Sequence, residues 1–267
     1  MICVLGDAHL DVVVRPAGPI AHDTDTPAAT RLSAGGQAAN TAAWICALGG
    51  RARLIAARAP DLAGQLVAAE LGRRGVDMKG PVLDGRTGTV VSVSPDGTTR
   101  SMLTDRGVGP QLAPGHLEPG WLDGCDWLHL PAYSLAAEPV AGAALAAAAA
   151  VPRLSVDLSS VAVLEDYGPA RFRALLGRLA PAVVFGNEAE AALIAGLDGT
   201  SLTGTDLVVK LGPAGVRAGG RVHPAAPADP VDPTGAGDAF AAGYLLGGVT
   251  LGLAAAARAV AVMGAMP

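Results

Sequence analysis

Short apolar runs, each about the length of one buried strand, recur along the chain with helix-compatible sequence between them. They are Ile2 to Leu5, Arg53 to Ala57, Trp127 to Leu130, Leu154 to Val156, Ala182 to Phe185 and Leu207 to Val209. Runs of this kind, apolar throughout and separated by helices, are the pattern of parallel strands covered on both faces. The fold class expected is therefore α/β, with a central, mostly parallel sheet flanked by helices.

Composition narrows the core. Hydrophobic residues make up 51% of the 267 residues but aromatics only 3%, so Ala, Val and Leu must fill the interior at close quarters. One large α/β domain over residues 1–267 suits that length. The net charge of −5, from 19 basic and 24 acidic residues with no basic stripe, excludes nucleic acid as an expected partner. Ala141 to Val151, ended by Pro152, falls short of the roughly 20 apolar residues of a membrane span. Asp7 and Asp11 interrupt the apolar N-terminus, which reads as a buried strand and not a signal peptide. Cys3, Cys46 and Cys125 are odd in number and far apart, so neither a disulfide framework nor a zinc cluster is expected, and a reducing cytoplasm is.

Local signals place the other elements. Val12 to Val14 resumes an extended run after the polar Gly6, Asp7 and His9, which sit at a strand end. Gly35 and Gly36 open a helix over Ala38 to Leu48 that closes at Gly49 and Gly50. Asp61 to Gly75 has amphipathic spacing. Thr87 to Ser94 and Thr99 to Leu103 flank Pro95-Asp96-Gly97 and predict a hairpin. Ala218 to Pro233, rich in Gly, Ala and Pro, reads as a hairpin or loop.

The segment richest in chemistry is Val231-Asp232-Pro233-Thr234-Gly235-Ala236-Gly237-Asp238-Ala239-Phe240. Its small residues let backbone amides approach a phosphate where a helix begins, and the positive end of the helix dipole stabilises negative charge there. Asp238 falls in the first turn, where a carboxylate can take a proton from a hydroxyl held beside the amides. On its own the segment is equally consistent with a glycine turn and an ordinary helix-start acid.

Asp232 to Phe240 resembles the C-terminal signature of the ribokinase-like, or PfkB, carbohydrate kinases. Gly35-Gly36-Gln37-Ala38-Ala39-Asn40 is similar to that family's N-terminal Gly-Gly motif, and Leu5 to Asp11 to its first strand and loop. The resemblance covers nearly the whole chain. It implies a Rossmann-like ribokinase fold with a small β lid, its strands inserted at about 11–33 and 87–104. It implies ATP-dependent phosphorylation of a sugar hydroxyl, with Asp238 as base and the amides of Gly235, Ala236 and Gly237 as anion hole. Asp11, Gly35, Gly36, Gln37, Asn40, His9 and Arg106 would bind the acceptor. Asn187, Lys210, Gly212, Gly215 and Thr234 would border ATP, and Glu190 would reach Mg²⁺ through water. Asn187 to Glu190 also reads as a helix-capping box, and His129 as a core residue.

The sequence departs from the family in places. Asp157-Leu158-Ser159-Ser160 stands where many relatives end a motif in Arg, Pro233 replaces a common Thr, and Lys210 a common Thr. These departures weaken the expectation of phosphate support and of a monovalent-cation site there. The stretch after the signature, with one helix over Leu251 to Met263, is shorter than usual and would leave the adenine side more exposed. Few basic residues near the sugar loop favour a neutral acceptor over one already phosphorylated. Alternatives are a nucleoside kinase, disfavoured by scarce aromatics, and a non-catalytic sugar or nucleotide sensor, disfavoured by Asp238. A dinucleotide-dependent oxidoreductase is excluded by the lack of Gly-x-Gly-x-x-Gly after the first strand. A homodimer through the lid is a further expectation.

Overall fold

The computed structural model describes residues 1–94, 101–195 and 204–267. The Pro95-Asp96-Gly97 turn and Thr98-Thr99-Arg100 lie outside the described residues.

The chain opens with β1 (Ile2–Leu5), β2 (His9–Pro16), β3 (Ala28–Gly35) and α1 (Gln37–Ala47). It continues through β4 (Ala52–Ile55), α2 (Leu62–Arg73), β5 (Asp77–Lys79), β6 (Thr87–Val93) and β7 (Ser101–Gly107). Then come β8 (Trp127–Pro131), α3 (Tyr133–Ala136), α4 (Val140–Ala148), β9 (Leu154–Asp157), α5 (Val161–Tyr167) and α6 (Pro169–Leu179). β10 (Val183–Asn187), α7 (Glu188–Ala195), β11 (Asp206–Lys210), β12 (Val216–Ala218), β13 (Arg221–His223) and α8 (Ala236–Val260) complete it.

All six apolar runs become strands of one nine-stranded sheet, ordered β13-β12-β11-β10-β9-β8-β1-β4-β5. It is parallel except at the β11-β12-β13 edge, a hairpin within the segment read as hairpin or loop. A second sheet, β3-β2-β6-β7, stands apart as the lid. The strands at 9–35 and 87–107 both belong to it, joined by a parallel β2–β6 pairing that no local signal announces.

The aromatic-poor composition has a direct consequence for helix placement. Ala38 to Ile45 of α1 are all buried, as are Ala239 to Gly243 of α8, and the two helices share one core cluster. Small side chains let their backbones approach closely. α8 is long and apolar enough to cross a bilayer, but it packs on α1 and leaves helical geometry at Gly247 and Gly248. Its apolarity belongs to the core. Each fully buried Leu or Val of that core contributes about 1.5–3 kcal/mol.

The expectation for the cysteines is corrected. Cys3 and Cys125 meet as a disulfide with Cα atoms 5.8 Å apart, because parallel pairing of β1 with β8 brings the loop before β8 alongside β1. The cysteine count therefore no longer argues for a reducing compartment.

Candidate active site

The loop before α8 is held from two sides. Asp232 Oδ1 accepts from the Thr234 amide (2.9 Å) and hydroxyl (2.5 Å), while its Oδ2 accepts from the Gly264 amide (3.0 Å). Val231 and Asp232 both donate their amides to Val260 O, at 2.7 and 3.1 Å. Gly235 caps the helix at φ 76°, and a Cβ there would stand 2.6 Å from Ala265 Cα, so only glycine turns this corner. Among the described residues the amides of Gly235, Gly237 and Asp238 have no protein partner. The Ala236 amide differs from expectation: it is turned to Pro233 O at 3.3 Å and is engaged within the loop. The Thr234 hydroxyl is likewise engaged with Asp232, a positioning contact inside the loop.

Asp238 meets α1 across the helix interface. Its Oδ2 accepts from Asn40 Nδ2 at 2.8 Å. Burial pushes its pKa up to about 8 against that hydrogen bond, Asp157 and Asp7 raise it further, and Lys210 lowers it. Burial therefore disfavours the charged form of this carboxyl.

Around Asp238 lie polar atoms without partners. Asn40 Oδ1, Gln37 Oε1 and Asp11 Oδ1 are buried and accept no hydrogen bond. His9 Nε2 is 3.0 Å from Asp11 Oδ1, close enough for an ion pair but short of hydrogen-bond geometry. Buried acceptors left empty cost about 1–3 kcal/mol each, so a set of them marks a place for donors from outside. Gly36 makes the approach feasible: at φ 104° its backbone lies against Asp7, where a Cβ would come within 2.7 Å of Asp7 O. Gly35 is equally close to the Asp11 carboxylate, which a side chain there would displace.

A cavity of about 130 Å³ adjoins these residues, lined by Gly6, Asp7, His9, Arg106, Tyr133 and Ser134 among others. Asp7 was not singled out from sequence. Its Oδ1 accepts from the Ala38 amide (3.1 Å) and its carbonyl from the Ala39 amide (3.3 Å), tying the β1–β2 loop to the start of α1. An acid between a strand end and a Gly-Gly helix start was the available signal.

The opposite end is built from satisfied pairs. Lys210, read as either a phosphate contact or a solvent-facing strand end, is turned inward and bonds Asp157 Oδ2 at 2.8 Å. Burial works against its ammonium, but the charge and hydrogen bond of Asp157, then Glu190 and Asp238, raise its pKa. Asp157, 1% exposed, is held below the usual carboxylate range: burial opposes this, and Lys210 with His129 and the Ser159 amide outweighs it. A Cβ on Gly237 would stand 3.2 Å from Lys210 Nζ, so the ammonium faces the first turn of α8. Asp157, viewed as a site of lost phosphate support, is thus the partner that keeps a cation there.

Asn187 and Glu190 form the capping box. Glu190 accepts from the Asn187 amide and Nδ2, both at 2.8 Å, and donates its own amide to Asn187 Oδ1 at 2.8 Å. Burial raises the Glu190 pKa against those bonds. Gly212 and Gly215 shape the turn between β11 and β12, just beyond Lys210. His129 is fully buried, its Nδ1 2.9 Å from Ser155 Oγ and its pKa lowered by burial to about 4, a neutral core histidine.

The description pfkB family carbohydrate kinase matches residues 1–266. An ATP-dependent ribose-1-phosphate kinase from Halopiger xanaduensis is 32% identical over 262 residues, covering 92% of this chain and 84% of the relative. A fructokinase from Klebsiella pneumoniae is 32% identical over 269 residues, covering 92% and 83%. The fold superimposes on a putative ribokinase II from E. coli, solved with ATP and Mg²⁺, at a TM-score of 0.84, 19% identity, and 99% and 94% coverage. The glycine turn that opens α8, the acid in its first turn and the Gly-Gly helix start of α1 therefore sit in a chain that belongs to the pfkB family of carbohydrate kinases.

Proposed function

We propose that this chain transfers the terminal phosphoryl group of ATP to a hydroxyl of a small sugar, with residues 1–267 as one catalytic unit and the second sheet as its lid. The observation that carries the reading is Asp238 in the first turn of α8, hydrogen-bonded by Asn40 of α1, with buried acceptor oxygens on Asn40 and Gln37 of that helix left without a partner. Polyol hydroxyls are the donors such a set requires. Gly35 and Gly36 let the sugar lie against the backbone.

Asp238 takes the proton of the attacking hydroxyl as its oxygen bonds the γ-phosphorus; the bond from that phosphorus to the β–γ bridging oxygen breaks and ADP leaves. Asn40 fixes the carboxylate that receives the proton. The amides of Gly235, Gly237 and Asp238, with the Lys210 ammonium, meet the charge on the transferring group. Gly212, Gly215, Asn187 and Thr234 border the nucleotide.

Among the described residues no three His, Cys, Asp or Glu side chains form a metal cage. That fits a divalent ion carried chiefly by the nucleotide's phosphates, with Glu190 reached through water. Mg²⁺ bound in that way neutralises charge on the β- and γ-phosphates. The Asp232 carboxylate is occupied by Thr234 and Gly264, so the loop is held by hydrogen bonds, and turnover is expected without an added monovalent cation.

Dependence on ATP supports a cytoplasmic location. Leu32, Val12, Val91 and Leu103 are paired in one apolar row across the lid, with Leu32 and Leu103 exposed, and this row supports a homodimer through the lid. The deciding experiment is ADP release with Mg²⁺ across a panel of sugars and nucleosides, beside Asp238→Asn. Turnover of one acceptor, lost in the variant, supports the reading; ligand binding without turnover of any acceptor would replace it with the sensor.

A further inference from the structure

Of the chain's three tryptophans only Trp44 is taken fully out of water: it is 2% exposed, while Trp121 and Trp127 are half-buried. An indole N–H buried that deeply needs an acceptor. Trp44 Nε1 donates to the carbonyl of Ala265 at 2.9 Å, across 221 residues of sequence. Arg258, in the last turn of α8, sets its guanidinium carbon 5.6 Å from the centre of the same ring.

Ala265 is the residue on which the glycine turn rests. A Cβ on Gly235 would stand 2.6 Å from Ala265 Cα and 2.7 Å from its carbonyl oxygen, the oxygen that Trp44 holds. The preceding residue, Gly264, gives its amide to Asp232 Oδ2 at 3.0 Å. Residues 264 and 265 thus touch the loop before α8 both at its acid and at its corner. Ala265 is 5% exposed, so water does not stand in for the indole as a donor there.

On α1, Trp44 lies one turn after Asn40, and residues so spaced share a face. Asn40 reaches Asp238 directly, at 2.8 Å; Trp44 reaches Gly235, the cap of the same helix, through the Ala265 carbonyl. One face of α1 therefore fixes both the carboxyl of the first turn and the corner that aims the amides beside it.

We infer that Trp44 is a positioning residue for phosphoryl transfer: its indole N–H holds the Ala265 carbonyl against Gly235 and so sets the direction of the amides at the start of α8. This rests on the kinase reading above and adds to it a residue that acts through another. Charge that develops in the transition state is met best by donors already aimed, so the loss on removing the N–H should fall on kcat.

The test compares Trp44→Phe, which keeps an aromatic ring for Arg258 and removes the N–H, with Leu176→Ala, a buried residue of α6 in the other core cluster. Both should unfold more readily than the native chain. With ATP, Mg²⁺ and the acceptor that the native chain turns over fastest, assayed well below melting, Trp44→Phe is expected to lower kcat about 5–50-fold, the size of a buried carbonyl left unpaired, with acceptor KM within about threefold. Leu176→Ala should keep kcat within about twofold, because molecules that remain folded work normally. Ala265→Gly, which removes the methyl group against Gly235, should lower kcat less. Combined with Trp44→Phe it should lose little beyond Trp44→Phe alone, since both act through one contact. Hydrogen exchange read by mass spectrometry follows the same contact without turnover: Trp44→Phe should speed exchange over residues 231–239 about 5–50-fold more than over α5 and α6. A native kcat in Trp44→Phe, a fully multiplicative loss in the double variant, or exchange raised evenly along the chain would overturn the inference. If the native chain turns over no acceptor, the kinase reading fails by itself. The exchange pattern then decides this one, upheld by a rise confined to 231–239 and overturned by an even rise or none.

Discussion

The two ends of the site differ in how their polar groups are satisfied. At the phosphate end Lys210 has Asp157, Glu190 has Asn187 and Asp232 has Thr234 and Gly264, each bond between 2.5 and 3.0 Å. At the other end Gln37 and Asn40 each keep a buried oxygen with no hydrogen-bond partner, and Asp11 Oδ1 faces His9 Nε2 at 3.0 Å. The first end is assembled before any ligand arrives and can meet developing charge without rearranging. The second is completed by the ligand. Changes at the phosphate end should therefore disturb stability and turnover together, and changes at the acceptor end should show mainly in KM.

Asp238 lies at the junction and should give the largest effect. Asp238→Asn is expected to lower kcat by about 10²–10⁴-fold, the usual contribution of a positioned base. Its acceptor affinity, measured by calorimetry, should stay within a few-fold, since Asn keeps an oxygen for Asn40 Nδ2. A variant with near-native kcat would remove Asp238 from the chemistry and the junction with it.

Next in size is Lys210→Ala, which strands the buried Asp157. Breaking one side of a buried pair costs about 3–5 kcal/mol, to be read from denaturant unfolding. The double variant Lys210→Met with Asp157→Leu should recover much of that stability while ATP turnover stays low. Recovery of both would make the pair structural only; a single variant as stable as the native protein would show that the phosphate end is not preassembled. The pair's contribution has a definite pH window. Asp157 is depressed, so its share is present above the ordinary carboxylate pKa and lost as pH falls through the folded value; Lys210 is raised, so its share is lost only in alkali.

That contrast was only partly legible in the sequence. α1, α8 and the sheet strands follow from apolar runs and glycine punctuation, and Asp11, Asn40 and Asp238 from motifs whose chemistry is local. Lys210 and Asp157 are 53 residues apart, on β11 and β9 with β10 between them, and no spacing rule connects them. Cys3 and Cys125 pose the same difficulty over 122 residues. The parallel β2–β6 pairing within the lid is equally nonlocal. Motifs report what a segment can do; which cation meets which acid is decided by strand order.

Gln37→Ala probes the acceptor end alone. Its Oε1 lacks a partner, so its removal should leave stability close to native and raise acceptor KM about 2–10-fold, the size of one neutral hydrogen bond. A large loss of stability would mean that the empty oxygens are structural and the two ends alike.

The pH dependence of stability reports strain at the junction most directly. The folded-state pKa of Asp238 is raised to about 8, chiefly by burial, so between the ordinary carboxylate value and about pH 8 the folded chain binds a proton that the unfolded chain has released. Stability then falls as pH rises through that window. Asp238→Asn carries no such charge and should melt higher than the native protein, by a margin near zero at pH 4 that grows as pH rises toward 8. A margin independent of pH would assign the difference to packing, and Asp238 would then be ionised in the folded state throughout. A margin that grows as described means that burial keeps the Asp238 carboxyl partly protonated near neutral pH, so that the strain at the junction lies in desolvation of its charge.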